Sequence, residues 1–157
     1  MRSAPEPAKG TPMPLRLISI LGFLVTIAAI IVLGARHALF GESVLPVGIQ
    51  ILAVSLMVWA RVTVGRRSFH AAGTPTEGGL VTSGPYKYLR HPIYAALLYF
   101  IWAGVLSHAS VMNIVWGIGA IGGTALRMGV EEKLVARRYP EYLAYANRTA
   151  RVILFLV

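Results

Sequence analysis

The sequence contains no cysteine and no aspartate. The first absence excludes disulfides, thiolate metal sites and a cysteine nucleophile. Charge of either sign is scarce, at 13% of residues, and it is lopsided: 15 Lys and Arg stand against 6 acidic residues, all glutamate, for a formal net charge of +9. With so little charge, the 56% hydrophobic share exceeds the roughly 45–50% of soluble domains, and the excess requires a lipid solvent. Strong positive charge can mean nucleic acid, but no recognised nucleic-acid-binding module accompanies it here, and the partner expected is the anionic inner leaflet of a membrane. There is also no internal repeat, no low-complexity tract and no β-barrel pattern.

What is present is a series of apolar runs. Residues 1–16 form a Pro-rich, basic stretch that reads as a flexible tail, followed by a single domain over 17–157. Leu17 to Gly34 is uncharged and, at about 1.5 Å per residue, about 27 Å long as a helix, which is near the hydrocarbon thickness. It is read as a retained span, because it is long for a signal-peptide core and no convincing cleavage site follows it. A second span runs from Val44 to Ala60, with Pro46 in its first turn and Arg61 closing it. The longest polar segment, Arg61 to Leu89, comes next, and a loop of that size in so small a membrane chain reads as functional. Ile93 to Leu106 and Ala109 to Leu126 then form a helical hairpin around Ser107-His108, its first arm short for a full span. After Arg127 the composition turns amphipathic, and a separate tail helix is expected, restarting with Pro140 at its first position. The fold expected is therefore all-α: a polytopic membrane protein of about four transmembrane helices plus a cytoplasmic amphipathic C-terminal helix. With both termini inside, 14 of the 15 basic residues are cytoplasmic and only Arg36 is outside.

Two clusters carry chemistry. G-P-Y-K-Y-L-R-H-P-I-Y, from Gly84 to Tyr94, sets three tyrosines, a lysine, an arginine and a histidine at the entrance of a span. Such residues also make an ordinary interfacial belt, and Pro92 can simply begin a helix, so both readings stand at this point. Arg127, Glu131 and Glu132 follow the last span, with Arg127 and Glu131 one helical turn apart on a shared face. An ion pair at a helix end is the plain account, yet two adjacent carboxylates facing a negative leaflet call for more than that. Gly117, Gly119 and Gly122 match G-x-G-x-x-G, but inside an apolar span with no preceding strand they lack a dinucleotide site's context. Gly119 and Gly123 form G-x-x-x-G, which predicts close helix packing. His37, His70 and His108 are isolated, and no metal site is expected.

R-H-P-I-Y at 90–94, followed after 36 intervening residues by E-E at 131–132, resembles the signature of the isoprenylcysteine carboxyl methyltransferase-like and phospholipid methyltransferase family of integral membrane enzymes. L-V-T-S-G-P-Y at 80–86 and E-E-K-L-V-A-R-R-Y-P-E-Y-L-A-Y at 131–145 extend the resemblance, so the cofactor-binding part covers 78–151. It implies an S-adenosyl-L-methionine-dependent methyltransferase acting at the cytoplasmic face on a lipophilic or membrane-embedded acceptor, a prenylcysteine-like carboxylate or a lipid headgroup. It further implies cofactor contacts at Leu80, Val81, Tyr86, Arg90, His91, Pro92, Tyr94 and Glu131, with Arg127 holding the substrate. The sequence departs from the family at Gly78, at Tyr139-Pro140 and at Leu154, where a histidine, Phe-Gly and a proline are usual.

The residues themselves fit that cofactor's needs. Its α-ammonium wants a carboxylate, its carboxylate wants cationic or N–H donors, and its adenine and sulfonium want aromatic faces; Glu131, His91, Tyr86 and Tyr94 supply most of these. A carboxylate acceptor is already ionised at pH 7, whereas an amine or alcohol needs a base, for which Glu132 and His91 are the candidates. Two other classes stay open: an NADPH-dependent membrane reductase related in fold, and a non-catalytic membrane assembly protein.

Overall fold

A computed structural model describes residues 12–65 and 80–152. Its elements are α1 (Met13–Ala35), α2 (Val44–Val64), a 3-10 turn (Gly84–Lys87), α3 (Pro92–Ser107), α4 (Val111–Arg138) and α5 (Tyr142–Ala146). Among the described residues there are no strands, only one isolated parallel bridge between Leu89 and Ala150. Three helices among the described residues, α1, α2 and α4, are long and apolar enough to cross a membrane, and α3 is a shorter apolar helix of 16 residues. The chain is an all-α, polytopic membrane protein.

Local chemistry sets the helix starts. Prolines occupy the first turns of α1 and α3, where a missing N–H costs nothing. Ser110 caps α4, its side chain accepting a hydrogen bond from the Asn113 N–H at 3.2 Å. Three boundaries differ from expectation. α1 begins at Met13, inside the stretch read as tail, and α2 runs on to Val64, so Arg61 lies in its last turn instead of closing it. α4 passes through Arg127 without a break and ends only at Arg138. Glu-Glu-Lys-Leu-Val-Ala-Arg-Arg contains only residues that tolerate a helix, and the drop in hydropathy marks the exit from lipid, not the end of the helix. The tail helix is accordingly just Tyr142–Ala146, with Pro140 in the turn before it and not at its first position. At about 1.5 Å per residue the 28 residues of α4 reach about 42 Å, more than the roughly 30 Å hydrocarbon core, so its last turns project past the apolar layer.

Helices in lipid gain no hydrophobic advantage from one another and associate by close packing. α1 packs chiefly on α4, and α2 on α3, with a lighter α3–α4 seam. α1 and α4 approach closely at Gly22 and Gly123: a Cβ on Gly22 would lie 2.5 Å from the Gly123 carbonyl oxygen, and one on Gly123 would lie 2.4 Å from Thr26 Oγ1. Gly123 packs as predicted, but its motif partner Gly119 faces open space. The buried cluster joins Ala29 and Leu33 of α1, Leu98, Ile101 and Val105 of α3 and Ala120 of α4. Leu17, Leu21, Ile31, Leu52 and Val62 stay exposed on the outer surface, which suits a lipid solvent. Buried Gln50 of α2 ties the helices together by donating to the carbonyls of Leu39 (2.8 Å) and Phe100 (3.1 Å) and accepting from the Gly41 N–H (3.0 Å). The segment read as the functional loop falls partly outside the described residues, including Arg66, Arg67, His70 and Gly78, as does Leu154.

Candidate active site

The site lies where α4 leaves the apolar layer, opposite the start of α3. Pro92 begins α3 and His91 immediately precedes it, so His91 and Tyr94 project toward the same stretch of α4. The Tyr94 hydroxyl donates to Glu131 Oε1 at 2.5 Å and accepts from Arg127 Nε at 2.9 Å. Arg127 Nη2 lies 3.7 Å from Glu131 Oε1, the one-turn pairing that the spacing predicts. The Arg127 guanidinium is buried, and its central carbon lies 5.1 Å from the Phe23 ring centroid and 6.0 Å from that of Tyr94.

His91 stands between the two carboxylates. Its Nε2 is 3.1 Å from Glu132 Oε1, while Nδ1 faces Glu131 Oε2 at 3.9 Å, beyond hydrogen-bond reach. The adjacent glutamates thus differ in commitment. Both Glu132 oxygens are taken, by Arg151 Nη2 at 2.8 Å and Arg151 Nε at 3.2 Å, with Arg90 Nη1 at 3.6 Å beside them. Among the described residues no hydrogen-bond donor reaches Glu131 Oε2. Glu132, expected as a candidate base, is held by cations on both of its oxygens. Arg90, expected at the cofactor, points to Glu132.

The tyrosine wall forms around this core. Tyr145 of α5 donates its hydroxyl to the Tyr86 carbonyl at 2.7 Å, which fastens the tail to the 3-10 turn. Burial pushes the Tyr86 hydroxyl up to about 12, against the pull of Arg61 and with a further push from Glu131, and burial lifts Tyr142 and Tyr145 to about 12 as well. All three are therefore neutral at physiological pH. Gly84 starts the turn at φ 58°, a left-handed conformation that glycine adopts freely, and a Cβ there would lie 2.6 Å from Thr63 Oγ1 of α2. Leu80 and Val81 are half-buried in the irregular segment leading to the turn, and none of the hydrogen bonds above involves them. Pro92 is buried.

The structure thus brings Tyr94, Arg127, Glu131, His91, Glu132 and Arg90 into one network and sets Tyr86 beside it. Two members escape sequence reasoning: Phe23, on a span read as generic, and Arg151, beyond the two clusters. Among the described residues no group of three His, Cys, Asp or Glu comes together to hold a metal ion.

Residues 42–142 match the sequence profile of the phospholipid methyltransferase family, well over half of the chain and including both clusters of the site. The chain belongs to the phospholipid methyltransferase family. Membership agrees with the R-H-P-I-Y and E-E resemblance. Among curated proteins, the cobalt-zinc-cadmium resistance protein CzcN of Cupriavidus metallidurans is 28% identical over 102 residues, covering 63% of this chain and 47% of that protein. The chain therefore spans about half the length of the curated relative it matches.

Proposed function

We propose that this protein transfers a methyl group from S-adenosyl-L-methionine to a lipophilic acceptor drawn from the bilayer, with the site open to the cytoplasm. The observation that carries the reading is Glu131 Oε2, which no hydrogen-bond donor among the described residues reaches and which lies opposite His91 Nδ1 at 3.9 Å. A carboxylate oxygen so placed has the charge and direction to take an ammonium group, and the neutral tyrosines beside it suit a sulfonium and an adenine. Family membership favours this reading over the reductase and assembly alternatives.

In this reading Glu131, His91, Tyr86 and Tyr94 hold the cofactor, with Leu80, Val81 and Pro92 as apolar lining. When bound, S-adenosylmethionine supplies an electrophilic methyl group for in-line displacement by the acceptor. Arg127 is anchored through Tyr94 and Glu131 and faces Phe23 at the lipid side, and it orients an anionic acceptor group. A carboxylate acceptor needs no base, which suits a site whose Glu132 is engaged by Arg151 and Arg90 and whose His91 holds the cofactor. The 14-to-1 distribution of basic residues supports the cytoplasmic orientation.

The test is transfer of radiolabelled methyl from S-adenosylmethionine by the purified protein into lipid, small-molecule and protein fractions of its own membranes. Label in a lipophilic fraction, reduced with Glu131→Gln at low S-adenosylmethionine concentration, is the expected result. Binding of NADPH with no binding of S-adenosylmethionine contradicts the proposal.

A further inference from the structure

The network contains an arrangement whose purpose the methyl-transfer reading leaves open. The chain from Thr149 to Val152 returns beside the R-H-P-I-Y segment and pairs with it in parallel: Arg90 N–H donates to the Ala150 carbonyl at 2.7 Å, His91 N–H to the Arg151 carbonyl at 3.1 Å, and Ala150 N–H to the Tyr88 carbonyl at 3.1 Å. The Tyr99 hydroxyl of α3 donates to the Val152 carbonyl at 2.6 Å, and Thr149 Oγ1 to the Tyr145 carbonyl at 2.9 Å. From this strap Arg151 reaches Glu132 with two N–H groups. One short segment therefore fixes the backbone of His91 and, through Glu132, its ring.

The chemistry of that contact has a direction. A carboxylate gripped by a guanidinium fork is ionised and can only accept, so the imidazole nitrogen 3.1 Å from Glu132 Oε1 must be the one that carries hydrogen. That nitrogen is Nε2. In the neutral ring Nδ1 is then an acceptor, and Nδ1 is the atom facing Glu131 Oε2 across 3.9 Å. Two acceptors 3.9 Å apart can both be reached by one cationic donor set to the side of the line joining them.

We propose that Arg151 is a positioning residue: through Glu132 it holds His91 as the Nε2–H tautomer, so that Nδ1 and Glu131 together receive the ammonium group of the methyl donor. The identity of that ligand rests on the proposed function, while the tautomer does not. A hydrogen-bonded partner that sets the tautomer of an active-site histidine is a recurrent device.

The test uses the full-length protein in nanodiscs with 15N-histidine labelling, with the His91 ring signals assigned by their loss in His91→Gln. The expected wild-type pattern is one protonated nitrogen, Nε2. Arg151 is 59% exposed, so its replacement is not expected to unfold the chain, and melting temperatures are recorded alongside. Arg151→Ala should shift the His91 pattern and weaken S-adenosylhomocysteine binding about tenfold, the loss of one charge-assisted contact, and Arg151→Lys should restore most of both. Ring signals unchanged in Arg151→Ala overturn the proposal, as does a wild-type ring protonated at Nδ1. Wild-type protein with the expected tautomer that fails to bind S-adenosylhomocysteine leaves the strap standing and sinks the methyltransferase reading instead.

Discussion

The Arg127 guanidinium carbon lies 5.1 Å from the centroid of the Phe23 ring, so the first helix of the chain forms part of a site otherwise built from its second half. Phe23 is 44% exposed on the outer surface and Arg127 is buried behind it, which puts the ring between lipid and the cation. Phe23→Leu keeps the apolar bulk and removes the π-face. It should raise the KM for the lipophilic acceptor several-fold while leaving the affinity for S-adenosylhomocysteine within twofold. Equal losses for both ligands would show that Phe23 only braces the fold.

The helix pair α1–α4 rests on a contact that admits no side chain. Gly123→Ala places a methyl against the Gly22 carbonyl and Thr26, and it should cost about 1–3 kcal/mol in reversible unfolding. Gly119→Ala meets nothing within 4 Å and should be neutral or slightly stabilising, since alanine is the better helix former. A loss at position 119 as large as that at 123 would contradict the packing described.

Absence of cysteine gives a clean background for topology. A single cysteine introduced at Arg148 should react with an impermeant maleimide only after permeabilisation, and one at Ala109 should react from outside intact cells. The reverse pattern would place the site on the wrong face for a cytoplasmic methyl donor.

The tyrosines that close the site predict the alkaline limb of stability. Burial raises Tyr86, Tyr142 and Tyr145 to about 12 from an ordinary value near 10, so the unfolded chain releases these protons first as pH rises. Their contribution to stability is complete below pH 10 and is lost as pH climbs through 12. Spectrophotometric titration should show these three tyrosines ionising only in that window, together with loss of fold. Ionisation of Tyr86 near pH 10, tested by its absence in Tyr86→Phe, would refute its burial.

How far the sequence announces this architecture depends on the range of the interaction. Apolar runs locate α1 to α4 because lipid imposes length and composition on every span, and the one-turn spacing of Arg127 and Glu131 suffices to predict their pairing. The end of α4 is harder to read, because a fall in hydropathy marks both a helix leaving the membrane and a helix ending. Only the Tyr139-Pro140 turn stops this one, and helix propensity up to Arg138 carries that signal. Arg151 reaches Glu132 only because the chain reverses after α4 and pairs with residues 88–91, a long-range bridge that leaves no periodic trace. Phe23 looks like any other lipid-facing aromatic until α1 is packed against α4.

The central claim is that Glu131, and not its neighbour, receives the ammonium group of the cofactor. Calorimetric titration with S-adenosylhomocysteine tests it directly, because the product keeps the ammonium and lacks the sulfonium charge. A partly shielded charge-assisted hydrogen bond is worth about 1.5–3 kcal/mol, so Glu131→Gln should weaken binding by roughly ten- to a hundredfold. Glu132→Gln, which loosens His91 without removing the ligand-facing carboxylate, should cost less. Unchanged affinity in Glu131→Gln would reduce the acidic pair to a helix-end ion pair and contradict the account.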